Sequence, residues 1–220
     1  MILQTESVIS VSKGGNMGNL NETPSANRLH IGIYGKTNSG KSSLINAVTK
    51  QEVSIVADVA GTTTDPVYKP MEIHPLGPCV IIDTAGFDDD SELGERRVEK
   101  THLAAEKTDI AVVVLDIAEV IAAKKAGIPF KKAFKDEAEW SLLFAKKHTP
   151  VVFALNKIDE ILLSAEAQEK SSGKLDNAAI EAAKCWVFEE NSAVMGKNAD
   201  NSFEVVAVSA LKGKGMDAVI

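Results

Sequence analysis

Cysteine is scarce in this 220-residue chain, with Cys79 and Cys185 the two present. They form no C-x-x-C pair, which excludes a disulfide framework and favours a reducing, cytoplasmic setting. Two thiols cannot supply the four ligands of an ordinary iron–sulfur cluster, so no cluster is expected in this segment. Long apolar runs are absent too. Nothing approaches the roughly 20 uninterrupted apolar residues of a membrane-spanning helix. The start, MILQTESVIS, lacks the basic and apolar regions of a secretory signal. There is no basic excess: 24 Lys and Arg stand against 31 Asp and Glu, net −7. That excludes bulk binding to nucleic acid or anionic lipid, so neither nucleic acid nor membrane is an expected partner. His30, His74, His102 and His148 show no ligand spacing, and no internal repeat is visible. What remains, 45% hydrophobic and 25% charged, is the composition of a globular domain.

Residues 1–27 are Gly-, Ser- and Asn-rich towards their end and show no apolar period, so they read as a flexible leader or as an extension upstream of Met17. Residues 28–220 read as one domain. Strands are expected at Leu29–Tyr34, Val67–Ile73 (an edge strand), Val80–Ile82, Ile110–Leu115, Val151–Leu155 and Phe203–Val208. Helices are expected at Lys41–Val48, Leu93–Lys107 and Lys131–Lys147, and across residues 160–200 with a break at Ser171-Ser172-Gly173. Residues 117–135, basic and partly amphipathic, read as a covering helix. Strands alternating with helices imply right-handed crossovers and a mostly parallel six-stranded sheet with helices on both faces.

Gly35-Lys36-Thr37-Asn38-Ser39-Gly40-Lys41-Ser42 fits G-x-x-x-x-G-K-S, after an expected strand and opening an expected helix. Glycines let the backbone approach a phosphate closely. The amides from Asn38 through Ser39, Gly40, Lys41 and Ser42 to Ser43, with the positive end of the helix, can bind its oxygens. Lys41 is expected at the β and γ phosphates and Ser42 on Mg²⁺. Alone, the loop indicates only a nucleoside triphosphate.

Asn156-Lys157-Ile158-Asp159 follows the VVFAL strand, at the edge where open α/β sheets bind ligands. A carboxylate from Asp159 can accept both N1–H and the 2-amino group of guanine; adenine lacks that donor pair and would leave it unpaired. Asn156 can bond the base and brace the phosphate loop, and the Lys157 stem can lie over the ring. Ser209, Ala210 and Leu211 can offer backbone N–H groups to the 6-oxo group. Asp83-Thr84-Ala85-Gly86 closes another strand, with Asp83 expected to hold Mg²⁺ through water and the Gly86 N–H to meet the γ-phosphate. In Gly61-Thr62-Thr63-Thr64-Asp65, the Thr63 hydroxyl is chosen to complete the Mg²⁺ shell. The ligands are therefore GTP or GDP with Mg²⁺, on the fold of a P-loop GTPase (G) domain.

In this order the motifs resemble a translation-factor-class GTPase over about residues 28–220. Asn38 and the G-T-T-x-D stretch narrow the resemblance to the TrmE–Era-like branch, which includes tRNA-modifying and ribosome-assembly GTPases. The run Val59–Lys69 (VAGTTTDPVYK), with Pro75-Leu76-Gly77-Pro78 and Glu92–Thr101 (ELGERRVEKT), is similar to the HydF family of iron–iron (FeFe) hydrogenase maturation GTPases. That resemblance implies a GTPase domain of a cofactor-assembly scaffold, with hydrogenase maturation proteins and the hydrogenase apoprotein as partners. It also implies further domains through which the full-length protein is a homo-oligomer. The chain would then stop within the last helix of the fold, Gly215–Ile220.

Phe87 stands where a water-orienting Gln follows the D-T-A-G motif, and an apolar ring cannot polarise water. Two substitutes are expected. Similar GTPases use an Asn at the place of Asn38 to help bind K⁺, and tRNA-modifying relatives use a Glu at the offset of Glu95. Lys41, Thr63, Gly86 and Glu95 are thus the candidate catalytic set. A tRNA-modifying or ribosome-assembly GTPase, or a GTP-binding module with negligible turnover, stands as the alternative function.

Overall fold

The computed structural model describes residues 28–50, 67–74, 76–84, 102–161, 172–195 and 203–219. Six strands form one sheet: β1 (Leu29–Tyr34), β2 (Val67–Ile73), β3 (Gly77–Asp83), β4 (Ile110–Asp116), β5 (Val151–Asn156) and β6 (Phe203–Ala207). Their spatial order is β2-β3-β1-β4-β5-β6. β1 pairs in parallel with β3 and β4, and β5 pairs in parallel with β4 and β6. β2 runs antiparallel to β3 at the edge, which makes the sheet mostly parallel, as expected. Central strands such as IAVVVL are apolar throughout because helices cover both of their faces.

The helices are α1 (Lys41–Lys50), α2 (residues 102–107), α3 (Ile117–Lys125), α4 (Phe130–Ala133), α5 (Lys135–Lys147), α6 (residues 158–161) and α7 (Ser172–Met195). Strand alternation sends Val112 and Val114 to one face of β4, and Val113 and Leu115 to the other. The first pair packs with Leu44, Ile45 and Val48 of α1. The second packs with Val120 of α3, Phe144 of α5 and Val187 of α7. Cys79 is buried in the α1 layer, where burial pushes its thiol up to about 11, and Cys185 is exposed.

Four expectations need correction. The covering helix expected over residues 117–135 is two helices, α3 and α4, parted by a turn in which Gly127 takes positive φ (64°). The helix at Lys131–Lys147 is two helices, because Phe134 leaves helical geometry (φ −126°, ψ 63°). Its ring is buried against Phe130 and Trp186, so packing sets the backbone there. Of the break expected at Ser171-Ser172-Gly173, Ser172 and Gly173 are instead the first residues of α7, which runs unbroken to Met195, and Ser171 lies outside the described residues. The last helix is a short 3₁₀ turn, Met216–Ala218. Of the helix expected at Leu93–Lys107, only residues 102–107 are described, and they are helical.

Candidate functional site

Five of the loops that would carry the site leave the same edge of the sheet. The phosphate loop follows β1, Asp83 and Asp116 end β3 and β4, Asn156 ends β5, and Ser209 lies just past β6. In a parallel sheet these are carboxyl ends, where ligands collect.

The phosphate loop needs its glycines. Gly35 (φ 143°) and Gly40 (φ 95°) hold conformations that L residues rarely adopt. A Cβ on Gly35 would collide with the Val114 carbonyl oxygen, and one on Gly40 with Asn156 Nδ2. Asn38 also has positive φ (64°), which Asn tolerates better than most residues. Lys41 is 7% exposed, and its ammonium donates to the carbonyls of Gly35 and, at 2.8 Å, of Lys36. It is thus drawn back under the loop. The α1 hydrogen-bond ladder opens with Leu44 N–H donating to the Gly40 carbonyl at 2.9 Å. Lys41, Ser42 and Ser43 precede it, in the turn whose amides an α-helix leaves for other partners. Thr37, Asn38, Ser42 and Ser43 are exposed, and Ser39 is buried.

Asn156 ties this loop to the opposite end of the site. Its Nδ2 donates to the Ser39 carbonyl at 3.0 Å, and its Oδ1 accepts from Ala210 N–H at 3.0 Å. The residue is 2% exposed, so both bonds are shielded from water. The Ala210 amide expected to face a base is therefore held by Asn156. Ser209 and Lys214 exchange backbone bonds (2.9 and 3.1 Å), closing the loop that carries Ala210 and the exposed Leu211. The Ser209 hydroxyl donates to Asp159 Oδ1 and accepts from Lys212 N–H at 3.1 Å, which fixes the carboxylate against that loop. Lys157 has positive φ (68°), and its ammonium meets Asp116 Oδ2 at 2.7 Å. The Asp116 bond holds the Lys157 pKa above the usual lysine range.

Asp83, 8% exposed, lies 3.5 Å from the Lys69 ammonium. Beside it, the Thr84 hydroxyl donates to the Ile33 carbonyl and joins β3 to β1. Thr63, Gly86, Phe87 and Glu95 lie outside the described residues. Asp116 was not among the expected site residues. Its signal was present, since it follows a wholly apolar parallel-type strand at the ligand edge. It caps α3 by accepting from Ala118 N–H at 2.8 Å while pairing with Lys157.

These features suit a nucleotide with Mg²⁺. The glycine cradle has no room for Cβ atoms, a buried ammonium lies beneath it, and hydroxyl and carboxylate oxygens are the donors a hard divalent cation takes. Gly40→Ala is expected to strain the loop and push out the Asn156 amide. The nucleotide-free protein should lose about 1–3 kcal/mol of stability, and GDP affinity should fall at least about tenfold. Thermal unfolding and GDP titration measure the two effects; wild-type values in both would contradict the packing argument.

The family described as 50S ribosome-binding GTPase matches residues 30–157, more than half of the chain. The GTPase Der of Mycoplasmopsis pulmonis is 46% identical over 80 residues, 36% of this chain and 18% of that protein. The tRNA modification GTPase MnmE of Laribacter hongkongensis is 35% identical over 132 residues, 60% of this chain and 26% of its own length. The chain thus matches 18% and 26% of these two curated relatives' lengths. An Aquifex aeolicus Era variant solved with GDP and AlF₄⁻ covers 86% of this chain and 54% of its own, with a TM-score of 0.53. At 24% identity it shows the shared fold. With the phosphate loop, the N-K-x-D turn and the six-stranded sheet in their places, the chain belongs to the 50S ribosome-binding GTPase family, as a P-loop GTPase domain of the TrmE/Era/Der-like kind.

Proposed function

We propose that this domain binds GTP with Mg²⁺, hydrolyses it to GDP and phosphate, and uses the change of nucleotide to control a partner. The observation that carries this reading is Asn156, whose one amide joins the phosphate loop to the Ser209–Lys214 loop. Phosphate-binding and base-reading residues are thereby set at a fixed separation. Asp159, steadied by Ser209, reads the guanine edge, and the Lys157 stem supports the ring. Lys41 turns its charge to the β and γ phosphates, and the first amides of α1 hold their oxygens. Ser42, Asp83 and Thr63 would hold Mg²⁺, which when bound would supply positive charge against the phosphates. The Gly86 amide meets the γ-phosphate.

Phe87 leaves the attacking water without the usual side chain, so either Asn38 or Glu95 serves hydrolysis in this proposal. Asn38, on the exposed lip of the loop, offers an amide oxygen to K⁺, which would supply charge between the β and γ phosphates as an arginine finger does. Phosphate release is then expected to be at least about tenfold faster in K⁺ than in Na⁺ at matched ionic strength, about 1.4 kcal/mol of barrier. Asn38→Ala should remove the difference while GDP affinity changes little. Equal rates in the two salts would rule out the K⁺ role, and lost turnover in Glu95→Ala would then assign the water to that carboxylate. ATP competing equally with GTP would sink the reading as a whole.

For the role of the protein as a whole, the names of the curated relatives favour a tRNA-modifying or Der-type one. A second reading, hydrogenase cofactor assembly with the maturation proteins and the hydrogenase apoprotein as partners, is favoured by one observation. It is the run Thr64–Lys69 with Pro75–Pro78, which resembles that family. No helix among the described residues is long and apolar enough to cross a membrane, and we place the protein in the cytoplasm. Disrupting the gene separates the roles: lost hydrogenase activity with intact tRNA nucleosides would put the second reading first.

A further inference from the structure

Antiparallel pairing places Val67 opposite Asp83, Met71 opposite Cys79 and Ile73 opposite Gly77. With a two-residue side-chain period, Lys69 shares a face with Met71 and Ile73, and Asp83 shares it with Cys79 and Ile81. Met71, Ile73, Cys79 and Ile81 are buried against Leu44 and Ile45 of α1. The same face therefore passes from apolar core to an ion pair as it reaches the phosphate loop. There Lys69 Nζ stands 3.5 Å from Asp83 Oδ2, with side-chain exposures of 43% and 10%. The two ends of this pair are unequal. Asp83 is held in the site, whereas Lys69 lies on an edge strand with an open route to water for its long, flexible stem.

A buried carboxylate is costly without an opposite charge beside it. A second cation drawn to Asp83 would also repel an ammonium at that distance. We propose that Lys69 is a positioning residue, a place-holding counter-charge that keeps Asp83 set in the Mg²⁺-free protein and swings to solvent when Mg²⁺ and nucleotide bind. Lys69 then raises the magnesium concentration the domain requires while stabilising it in the absence of the ion. This inference rests on the reading of Asp83 as the Mg²⁺ carboxylate.

The test uses the full chain as wild type, Lys69→Met, Lys69→Gln, Lys69→Arg and Asp83→Asn. One readout is the Mg²⁺ concentration that half-maximally slows release of a fluorescent GDP analogue. The other is the melting temperature without nucleotide or Mg²⁺. Lys69→Met and Lys69→Gln are expected to lower the Mg²⁺ midpoint about threefold, the size of a half-exposed ion pair. They should also lower the melting temperature by about 2 °C. Lys69→Arg should match wild type, and Lys69→Met should change neither value in the Asp83→Asn background. An unchanged midpoint in both neutral variants overturns the role of Lys69. Weaker GDP binding at saturating Mg²⁺ overturns it as well, by marking Lys69 as a phosphate ligand. A wild-type Mg²⁺ response in Asp83→Asn overturns the assignment of Asp83, and the proposal with it.

Discussion

Lys41→Ala is expected to lower GTP hydrolysis by about 10²–10³-fold, the scale of removing one preorganised charge from a transition state (about 2.7–4 kcal/mol). Two effects of the substitution add. The ammonium proposed to meet the β and γ phosphates is gone, and the carbonyls of Gly35 and Lys36 lose a donor inside the loop. The second effect should appear without nucleotide, because a buried acceptor left unpaired costs about 1–3 kcal/mol. The measurements are single-turnover phosphate release and thermal unfolding of the nucleotide-free protein. Turnover within threefold of wild type would show that the charge lies elsewhere. A fall in stability with no fall in turnover would make Lys41 a purely structural brace.

Asp159→Asn is expected to exchange one base for another. In the proposed role the carboxylate offers two acceptors to guanine, and hydrogen bonds to a charged group contribute about 1.5–3 kcal/mol each. GTP affinity should therefore fall by at least about 10²-fold. An amide can donate where xanthine carries its 2-oxo group, so xanthosine triphosphate should gain affinity in the variant. The Ser209 hydroxyl, which already donates to Asp159 Oδ1, can turn to satisfy an amide oxygen, so the loop should survive the change. Competition of GTP, ATP and xanthosine triphosphate against labelled GDP gives the result. An unchanged preference for guanine would place its recognition on backbone groups instead.

Much of the fold was legible because its signals are local. IAVVVL and VVFAL are apolar at every position, which only a two-faced burial explains, and G-x-x-x-x-G-K-S punctuates a strand-to-helix turn. Phe134 was not legible. Neither proline nor glycine marks the break between α4 and α5; the aromatic neighbours Phe130 and Trp186 decide it, and Trp186 is 52 residues away along the chain. Gly173 misled in the opposite direction, since glycine weakens a helix interior but is accommodated in the opening turn of α7. Within the site, motif spacing pointed to Lys41, Asn156 and Asp159 individually. It could not show that Asn156 would take up the Ala210 amide, or that Lys157 would pair with Asp116. Both depend on β5 lying beside β4 and β6 in register, a long-range outcome. Lys69 was passed over for the same reason, since an alternating edge strand places a lysine without naming its partner across the sheet.

The Asn156 junction also bears on how the protein is born. Synthesis delivers the phosphate loop first, then the carboxylates of β3 and β4, and Ser209 and Ala210 only near Lys214. A nascent chain ending before β6 can hold its phosphate loop but has no partner for Asn156 Oδ1 and no hydroxyl to steady Asp159. Nucleotide then has only half a cradle to grip, and ligand binding cannot rescue the young domain from unfolding until its last strand has been translated and docked. Translation pauses upstream of residue 203 should lengthen that vulnerable interval, whereas a pause that falls after Lys214 has left the ribosome should be harmless.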